Sequence, residues 1–470
     1  MSDIPLTAAW VAAAVAGNIV GGDASRELDG VSIDTRTIRE GELFIAIRGE
    51  RFDGADFAAA AIEAGAAGVI VPRGTQVAAD DPGRPVVPVV IEVDDTTSAL
   101  QALAHAVRRE AGTKVVAITG SAGKTTTKEV TSEFLASRYR VIRNRGNLNN
   151  HIGLPLSLIE LRHRPEIAVV ELGMNHAGEI STLVRVAEPD VRVWTNVGEA
   201  HLGFFASTDA IADAKAEIFE RAAPSTVLVA NADDDLIVAR LPRYVGRLVT
   251  FGIDREADVR ATTVVDRGIA GTSARVTTPR GRIDIETPLI GRGNLANVLA
   301  ATATAIEFDV PLATVAERAA RLKPASHRGE IVRLASGATV IDDSYNANPT
   351  AVTGALEVLS GAEASRRIAV LGEMLELGDR AADLHAGVGR AAARNRVDLL
   401  FTVGGGSAAV LADAAVGAGM SRDRVRHFAT SDQAADAVAA VVRSGDVVLV
   451  KGSRGVKTDR VVDRLKAERA

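Results

Sequence analysis

The chain contains no cysteine, which excludes disulfides and cysteine-ligated metal centres. It also lacks any run of about 18 apolar residues, so no helix is expected to span a bilayer. Its opening residues, Met-Ser-Asp-Ile-Pro, carry neither the basic nor the apolar stretch of a secretory leader. The net charge is only −6 over 470 residues. So small a balance argues against a nucleic-acid footprint and gives no sign of membrane insertion. There is no short repeat, and no low-complexity tract beyond an enrichment in alanine. A cytoplasmic enzyme is the expectation these absences leave. Its 47% hydrophobic and 24% charged residues are ordinary for a globular protein, and its length predicts two to four domains.

One further absence is local. Residues 115–129 read Val-Val-Ala-Ile-Thr-Gly-Ser-Ala-Gly-Lys-Thr-Thr-Thr-Lys-Glu. A β-branched strand, a glycine turn and a helix start in succession form a phosphate-binding loop, but the general motif wants a glycine where Ile118 stands. The loop is therefore the shortened form. Gly120, Ser121, Ala122 and Gly123 can turn their N–H groups toward phosphates. Lys124 can reach the β- and γ-phosphates, the Thr125 hydroxyl can meet Mg²⁺, and Thr126 continues the loop into the helix. A helix beginning near Lys124 would aim its positive end at the same anion.

Three sections follow one another, at 1–112, 113–322 and 323–470. The first mixes short strands and helices, for example Gly41–Ile47, the alanine-rich Ala58–Gly65 and a helical Ser98–Glu110. A Pro-rich loop is expected at Asp81–Pro88. The second alternates strand and helix, with strands at Val115–Thr119, Ile167–Glu171, Val191–Thr195 and Thr226–Ala230. These short continuous apolar runs suit a buried parallel sheet. The pattern predicts a doubly wound α/β domain, with a small antiparallel addition from Val259–Val265, Ser273–Thr278 and Arg282–Glu286. In the third section the alternation restarts, with strands at Thr339–Asp342, Arg367–Leu371, Leu399–Val403 and Val447–Val450. Parallel sheets place ligand sites at the carboxyl ends of their strands, so each sheet offers a site face.

Several side chains stand at such ends. Glu171 closes an apolar strand and reads as a metal ligand or as a turn-capping glutamate. His201, in Thr-Asn-Val-Gly-Glu-Ala-His-Leu-Gly, suits a ligand or a loop-bracing histidine. Lys215 lies on one helical face with Ile211, Ile218 and Phe219. It is either a snorkelling lysine or an amine with a depressed pKa, able to take up CO₂ as a carbamate. Asn294 and Asn297, three apart at a helix start, could read a base; capping suffices for Asn294. Asp342, Asp343, Asn346 and Asn348 crowd one strand end, a costly arrangement unless it binds something.

Taken together these segments resemble the Mur ligases, ATP-dependent amide-forming enzymes of peptidoglycan precursor synthesis. The resemblance runs through Thr-Gly-Ser-Ala-Gly-Lys-Thr-Thr, Glu-Leu-Gly, Thr-Asn-Val-Gly-Glu-Ala-His-Leu-Gly, Ala-Lys-Ala-Glu-Ile-Phe and Asp-Asp-Ser-Tyr-Asn-Ala-Asn-Pro, over essentially the whole chain. The last of these, with Leu-Gly-Glu-Met-Leu-Glu-Leu-Gly at 371–378, looks like the branch that joins D-alanyl-D-alanine to UDP-N-acetylmuramoyl-tripeptide. The Asp-Asn-Pro-Arg signature of the branch adding the third amino acid is absent.

The resemblance implies three α/β domains. The first, 1–112, would bind the UDP-sugar peptide, with Ser32, Asp34, Thr35 and Arg36 among its contacts. A central phosphate-loop domain and a Rossmann-like C-terminal domain that closes the site would follow. It also implies ATP on Gly120–Thr126, with Asn294 on the adenine side and Arg328 and Asp343 at the triphosphate. Two Mg²⁺ ions are implied, one held by Thr125 and Glu171, the other by His201 with a carbamylated Lys215. Asn149 and Asn150 would lie near the tripeptide, and Tyr345, Asn346 and His385 on the C-terminal wall. Lys124, His201 and Lys215 would be the catalytic group, in a monomer. Two positions depart from the family: Gly293 where a histidine often precedes the asparagine, and His327 where a glycine often precedes the arginine. A folate polyglutamylating relative or a nucleotide-binding switch are the competing classes.

Overall fold

Parallel strands buried on both faces need apolar residues at every position, and the runs chosen above are such strands. The computed structural model describes residues 2–77, 87–144, 146, 148–200 and 202–467. The loop expected at Asp81–Pro88 falls largely outside them, and so does His201. The chain divides into two units: Met1–Ala117 with Tyr139–Met174 and Gly178–Asp190, and Ile118–Arg138 with Asn175–Ala177 and Val191–Ala470.

In the first unit a five-stranded sheet runs in the order Asn18–Gly21, Val89–Val93, Gly68–Pro72, Leu43–Ile45, Val31–Ser32. Only its first pairing is antiparallel. The expected Gly41–Ile47 strand shortens to Leu43–Ile45, and the alanine-rich stretch forms the helix Ala58–Glu63. The helix Thr96–Ala111 starts where Asp95 accepts a hydrogen bond from the Ser98 N–H at 2.6 Å and ends on left-handed Gly112, the usual pair of helix boundary signals. Strand Ile167–Glu171 pairs in parallel with Val141–Arg143.

In the second unit Val191–Trp194, Val227–Asn231 and Arg247–Gly252 are parallel neighbours. The antiparallel addition is joined to them. Val259–Asp266 pairs in parallel with the end of Arg247–Gly252, then continues through Thr272–Thr278 and Gly281–Thr287 as an antiparallel meander.

The third section forms a six-stranded sheet in the order Glu330–Arg333, Thr339–Asp343, Asp446–Lys451, Arg366–Gly372, Leu399–Val403, Val425–Phe428, antiparallel only at its first pairing. Side chains of a strand alternate between faces, and Asp446–Lys451 shows it. Val447 and Leu449 enter one core, with Leu356, Leu371 and Leu411. Val448 and Val450 enter the other, with Ile368, Val403 and Val461. Leu449 is fully buried in the layer that supports this strand end, so Leu449→Ala is expected to destabilise the section by about 3 kcal/mol. Guanidinium unfolding followed by circular dichroism should show the midpoint fall.

Candidate active site

The phosphate loop takes its shape from close packing. Strand Lys114–Thr119 leads into Gly120, where a Cβ would collide with Thr195 Oγ1. Gly123 sits at φ 80° as the N-cap of helix Lys124–Leu135, and a Cβ there would run into the Asn297 amide. Both positions therefore require glycine. The loop is also clamped. Ser121 N–H donates to Asn196 O at 3.0 Å and Ala122 N–H to Asn196 Oδ1 at 2.8 Å. Thr195 Oγ1 and Asn196 Nδ2 both donate to Ala122 O, at 2.8 and 3.1 Å. Lys124 Nζ folds back onto Gly120 O at 2.7 Å. The first N–H groups of helix Lys124–Leu135 have no partner within the helix, which with the helix dipole makes an anion cradle.

Helix Gly291–Glu307 lies against helix Lys124–Leu135. Asn294 is inside this helix rather than its cap. Its Nδ2 donates to Ile290 O at 2.9 Å, and its Oδ1 accepts from Asn297 Nδ2 at 3.2 Å. Asn297 in turn accepts from Thr127 Oγ1 at 3.1 Å. Capping thus fails as an account of Asn294, because Ile290 holds the cap position.

From the third section, Arg328 Nη2 donates to Thr125 Oγ1 at 3.3 Å, and its guanidinium lies 4.1 Å from the Tyr345 ring centre. Arg454 approaches the same ring at 5.6 Å. The polar strand end at 342–348 proves largely self-satisfied. Fully buried Asp342 pairs with His327 Nδ1 at 2.8 Å and accepts from Ser344 Oγ at 2.6 Å. Asn348 caps helix Pro349–Gly361. Asp343 pairs with buried Lys451 at 2.6 Å, and Lys451 also donates to Asn346 O at 3.0 Å.

These elements enclose a cavity of about 530 Å³, in the range of small-molecule sites. Ser121, Ala122, Gly123, Thr126, Asn294, Arg328, Asp343 and Asn346 all line it. Asn196, Asn297 and Lys451 line it too. Asn297 was weighed from sequence without being assigned, and Lys451 was noted only within Val-Lys-Gly-Ser-Arg. Asn196 was missed, although it sits in the same Thr-Asn-Val-Gly segment that drew attention to His201.

Lys215 is buried on helix Thr208–Ala216 together with Ile211. Loss of hydration pushes its amine well below the usual lysine range, and the charge of Lys124 adds to the push. Among the described residues no carboxylate pairs with it. Arg192, also buried, donates to the carbonyls of Ile218 and Glu220 just beyond the same helix, and so fixes its end.

His385 is placed differently from expectation. It is fully buried, accepts from Met374 N–H at Nε2 (2.9 Å) and donates from Nδ1 to Ala381 O (2.7 Å). Burial lowers its pKa. With both nitrogens committed, it braces the loop after strand Arg366–Gly372 and does not line the cavity.

In the first unit, Glu171 is buried and accepts from Asn149 Nδ2 at 2.6 Å and, at its own N–H, donates to Asn144 Oδ1 at 3.1 Å. Asn150 caps the following turn through the Gly153 N–H at 2.8 Å. Ser32, Asp34, Thr35 and Arg36 form an exposed turn. There Arg36 pairs with Asp34 at 2.6 Å, holding that carboxylate down at about 2, and Ser32 Oγ accepts from Asp34 N–H at 3.2 Å.

A phosphate cradle facing Arg, Lys and paired amides defines a nucleotide-dependent enzyme. Comparison with known families makes this specific: residues 118–305 match the Mur ligase middle domain, 327–454 the Mur ligase glutamate ligase domain and 27–108 the Mur ligase family catalytic domain. The UDP-N-acetylmuramoyl-tripeptide–D-alanyl-D-alanine ligase of Bacillus subtilis is 37% identical over 439 residues, 93% of either chain. The crystal structure of MurF from Acinetobacter baumannii superposes with a TM-score of 0.89 at 31% identity, covering 99% of this chain and 100% of that one. MurF ligase of Thermotoga maritima, solved in complex with ADP, superposes at 0.81 with 29% identity, over 93% and 97%. The chain belongs to the Mur ligase family and is an amide-bond-forming ligase.

Gly123→Ala puts a methyl group at a left-handed position against Asn297. It should abolish detectable ADP binding by calorimetry while far-ultraviolet circular dichroism stays unchanged.

Proposed function

We propose that this chain joins D-alanyl-D-alanine to UDP-N-acetylmuramoyl-tripeptide with ATP, giving the UDP-linked pentapeptide, ADP and phosphate. The observation that carries this is the single cavity gathering Ser121–Gly123, Asn294, Arg328, Asp343 and Lys451, in a chain so close to the B. subtilis and A. baumannii ligases along its whole length. Three segments divide the work: 1–112 takes the UDP-sugar peptide, 113–322 the nucleotide, and 323–470 completes the site.

A carboxylate and an amine do not condense in water, so the carboxylate must first be activated. An oxygen of the tripeptide's terminal carboxylate attacks the γ-phosphorus, the bond to the β,γ-bridging oxygen breaks, and ADP leaves. The amine of D-alanyl-D-alanine then attacks the acyl carbon. Phosphate departs with the shared oxygen, and the nitrogen loses a proton. Positioning and charge neutralisation are most of what phosphoryl transfer needs. Lys124 and the helix start above it receive the β- and γ-phosphates, with Arg328 reaching in at Thr125.

Among the described residues no three His, Asp or Glu side chains gather around a metal site. That suits magnesium, which keeps its waters and takes phosphate oxygens with only one or two protein ligands. Thr125 is the proposed protein ligand of the nucleotide's magnesium, and Glu171, held by Asn149, a proposed carboxylate donor. His201 is proposed for a second ion. Bound with the nucleotide, magnesium would neutralise charge on the transferring phosphoryl group.

Lys215 is the proposed site of a carbamate. A neutral amine is the form that adds to CO₂: the Nζ–C bond forms, Nζ loses a proton, and a carboxylate-like group results. Burial supplies that neutral form.

The defining assay measures phosphate release from ATP in the presence of UDP-N-acetylmuramoyl-tripeptide. Adding D-alanyl-D-alanine should stimulate release strongly, and no stimulation would sink the proposed function. For the carbamate, Lys215→Ala should lower turnover about 100-fold or more, by analogy with the loss of a group that orients a metal. Formate or acetate should restore part of it. Near-normal ligation by Lys215→Ala would rule the carbamate out.

A further inference from the structure

The segment Thr195–Gly203 joins strand Val191–Trp194 to helix Thr208–Ala216, and it grips two separate parts of the site. Its first half holds the phosphate loop. Besides the Asn196 and Thr195 bonds given above, Ser121 Oγ accepts from Gly198 N–H at 2.9 Å. This half is itself anchored, because Asn231 Nδ2 donates to Thr195 O at 2.9 Å and Val197 N–H donates to Asp234 Oδ2 at 2.7 Å. Its far end docks on the third section. Gly203 N–H donates to Glu376 O at 2.8 Å. Leu202 packs into the apolar core that contains Met374, Leu377 and Leu384. Glu376 is left-handed at φ 65°, and a Cβ on Gly378 would lie 2.9 Å from Gly203 Cα, so the two loops meet with no room for a side chain between them.

We propose that Asn196 and Leu202 are positioning residues of one mechanical element, through which docking of the 373–378 loop sets the shape of the phosphate loop. Five hydrogen bonds at one end and an apolar plug at the other, seven residues apart or less, leave little slack. When Leu202 is seated, Asn196 holds the Ser121 and Ala122 amides, and the cradle is formed. When Leu202 is released, the same span relaxes and the cradle loosens. Nucleotide affinity in this ligase would then report whether the third section is in place, so the nucleotide is gripped hardest when the remaining walls of the site are present. The inference rests on the proposed use of ATP by the cavity, but not on which amine is ligated.

The test uses the full chain with Asn196→Ala and Leu202→Ala, singly and combined. Each is titrated with ADP and magnesium by calorimetry and, separately, with UDP-N-acetylmuramoyl-tripeptide. Asn196→Ala is expected to weaken ADP binding about tenfold and Leu202→Ala about threefold, with the double variant no weaker than Asn196→Ala alone, the non-additivity of residues acting as one unit. Tripeptide affinity should not change in any of them. Gly203→Ala, which crowds Glu376 O without removing the plug, should behave as Leu202→Ala does. Unchanged ADP affinity in both docking variants, or losses that multiply in the double variant, would overturn the proposal, and so would a parallel loss of tripeptide affinity. Because ADP binding involves no ligation, a failed dipeptide-stimulation assay would leave this result standing.

Discussion

Asn196 holds the phosphate loop by its backbone on one bond and its side chain on two others, and the anion cradle depends on that grip. A glycine loop left to itself samples many backbone conformations, since glycine loses more freedom on folding than any other residue. Two glycines in four residues would be poor architecture without outside bonds. The shortened loop, with Ile118 buried in the strand rather than a third glycine, reduces the number of free torsions. The neighbouring strand end then supplies the remaining constraints. The cradle is thus formed by two adjacent strand ends, which is where parallel sheets gather their polar residues.

The same economy governs charge. Leaving an ionised group without a partner in the interior is strongly unfavourable, and the strand end at 342–348 obeys this closely. Asp342 is matched by His327 and Ser344, and Asp343 by Lys451. Lys215 is the exception, a buried amine facing the charge of Lys124 rather than a carboxylate. A residue kept in so unfavourable a place, on an element whose end is pinned by Arg192, fits the functional reading of this lysine better than snorkelling, which would leave its head in water.

Strand positions were legible because a strand buried on both faces has an unmistakable apolar run. Ile167–Glu171 and Leu399–Val403 appear with the boundaries expected, and Arg367–Leu371 differs by one residue at each end. The phosphate loop was legible because its chemistry is local. Partnerships were not. Nothing near Lys451 in sequence says that it reaches Asp343, 108 residues away, and nothing near His385 says that Met374 and Ala381 absorb both its nitrogens. Polar density at 342–348 suggested a ligand, yet Asp342 and Asn348 serve the fold, because composition does not distinguish a side chain aimed at a cavity from one aimed at its neighbours.

Gly293 shows the same limit from the other side. A Cβ at this position would meet nothing within 4 Å, so packing does not demand glycine there, and a side chain could stand at the cavity edge without disturbing the helix. On the proposed reading the base must then be held by what surrounds it. Ile290 and Val358 are apolar walls, and Ala351, Gly354 and Ala355 present a face of small residues across from them. A flat aromatic ring gains from such a slot through many weak contacts, and it does so without a directional partner at residue 293. Discrimination among bases would fall to the polar groups at the rim, of which Asn294 is already committed to Ile290 and Asn297. The helix therefore offers its amide to the site only as part of a fixed network. What that network gives is a rigid wall, so the specificity of this end of the cavity is a matter of shape before it is a matter of hydrogen bonds.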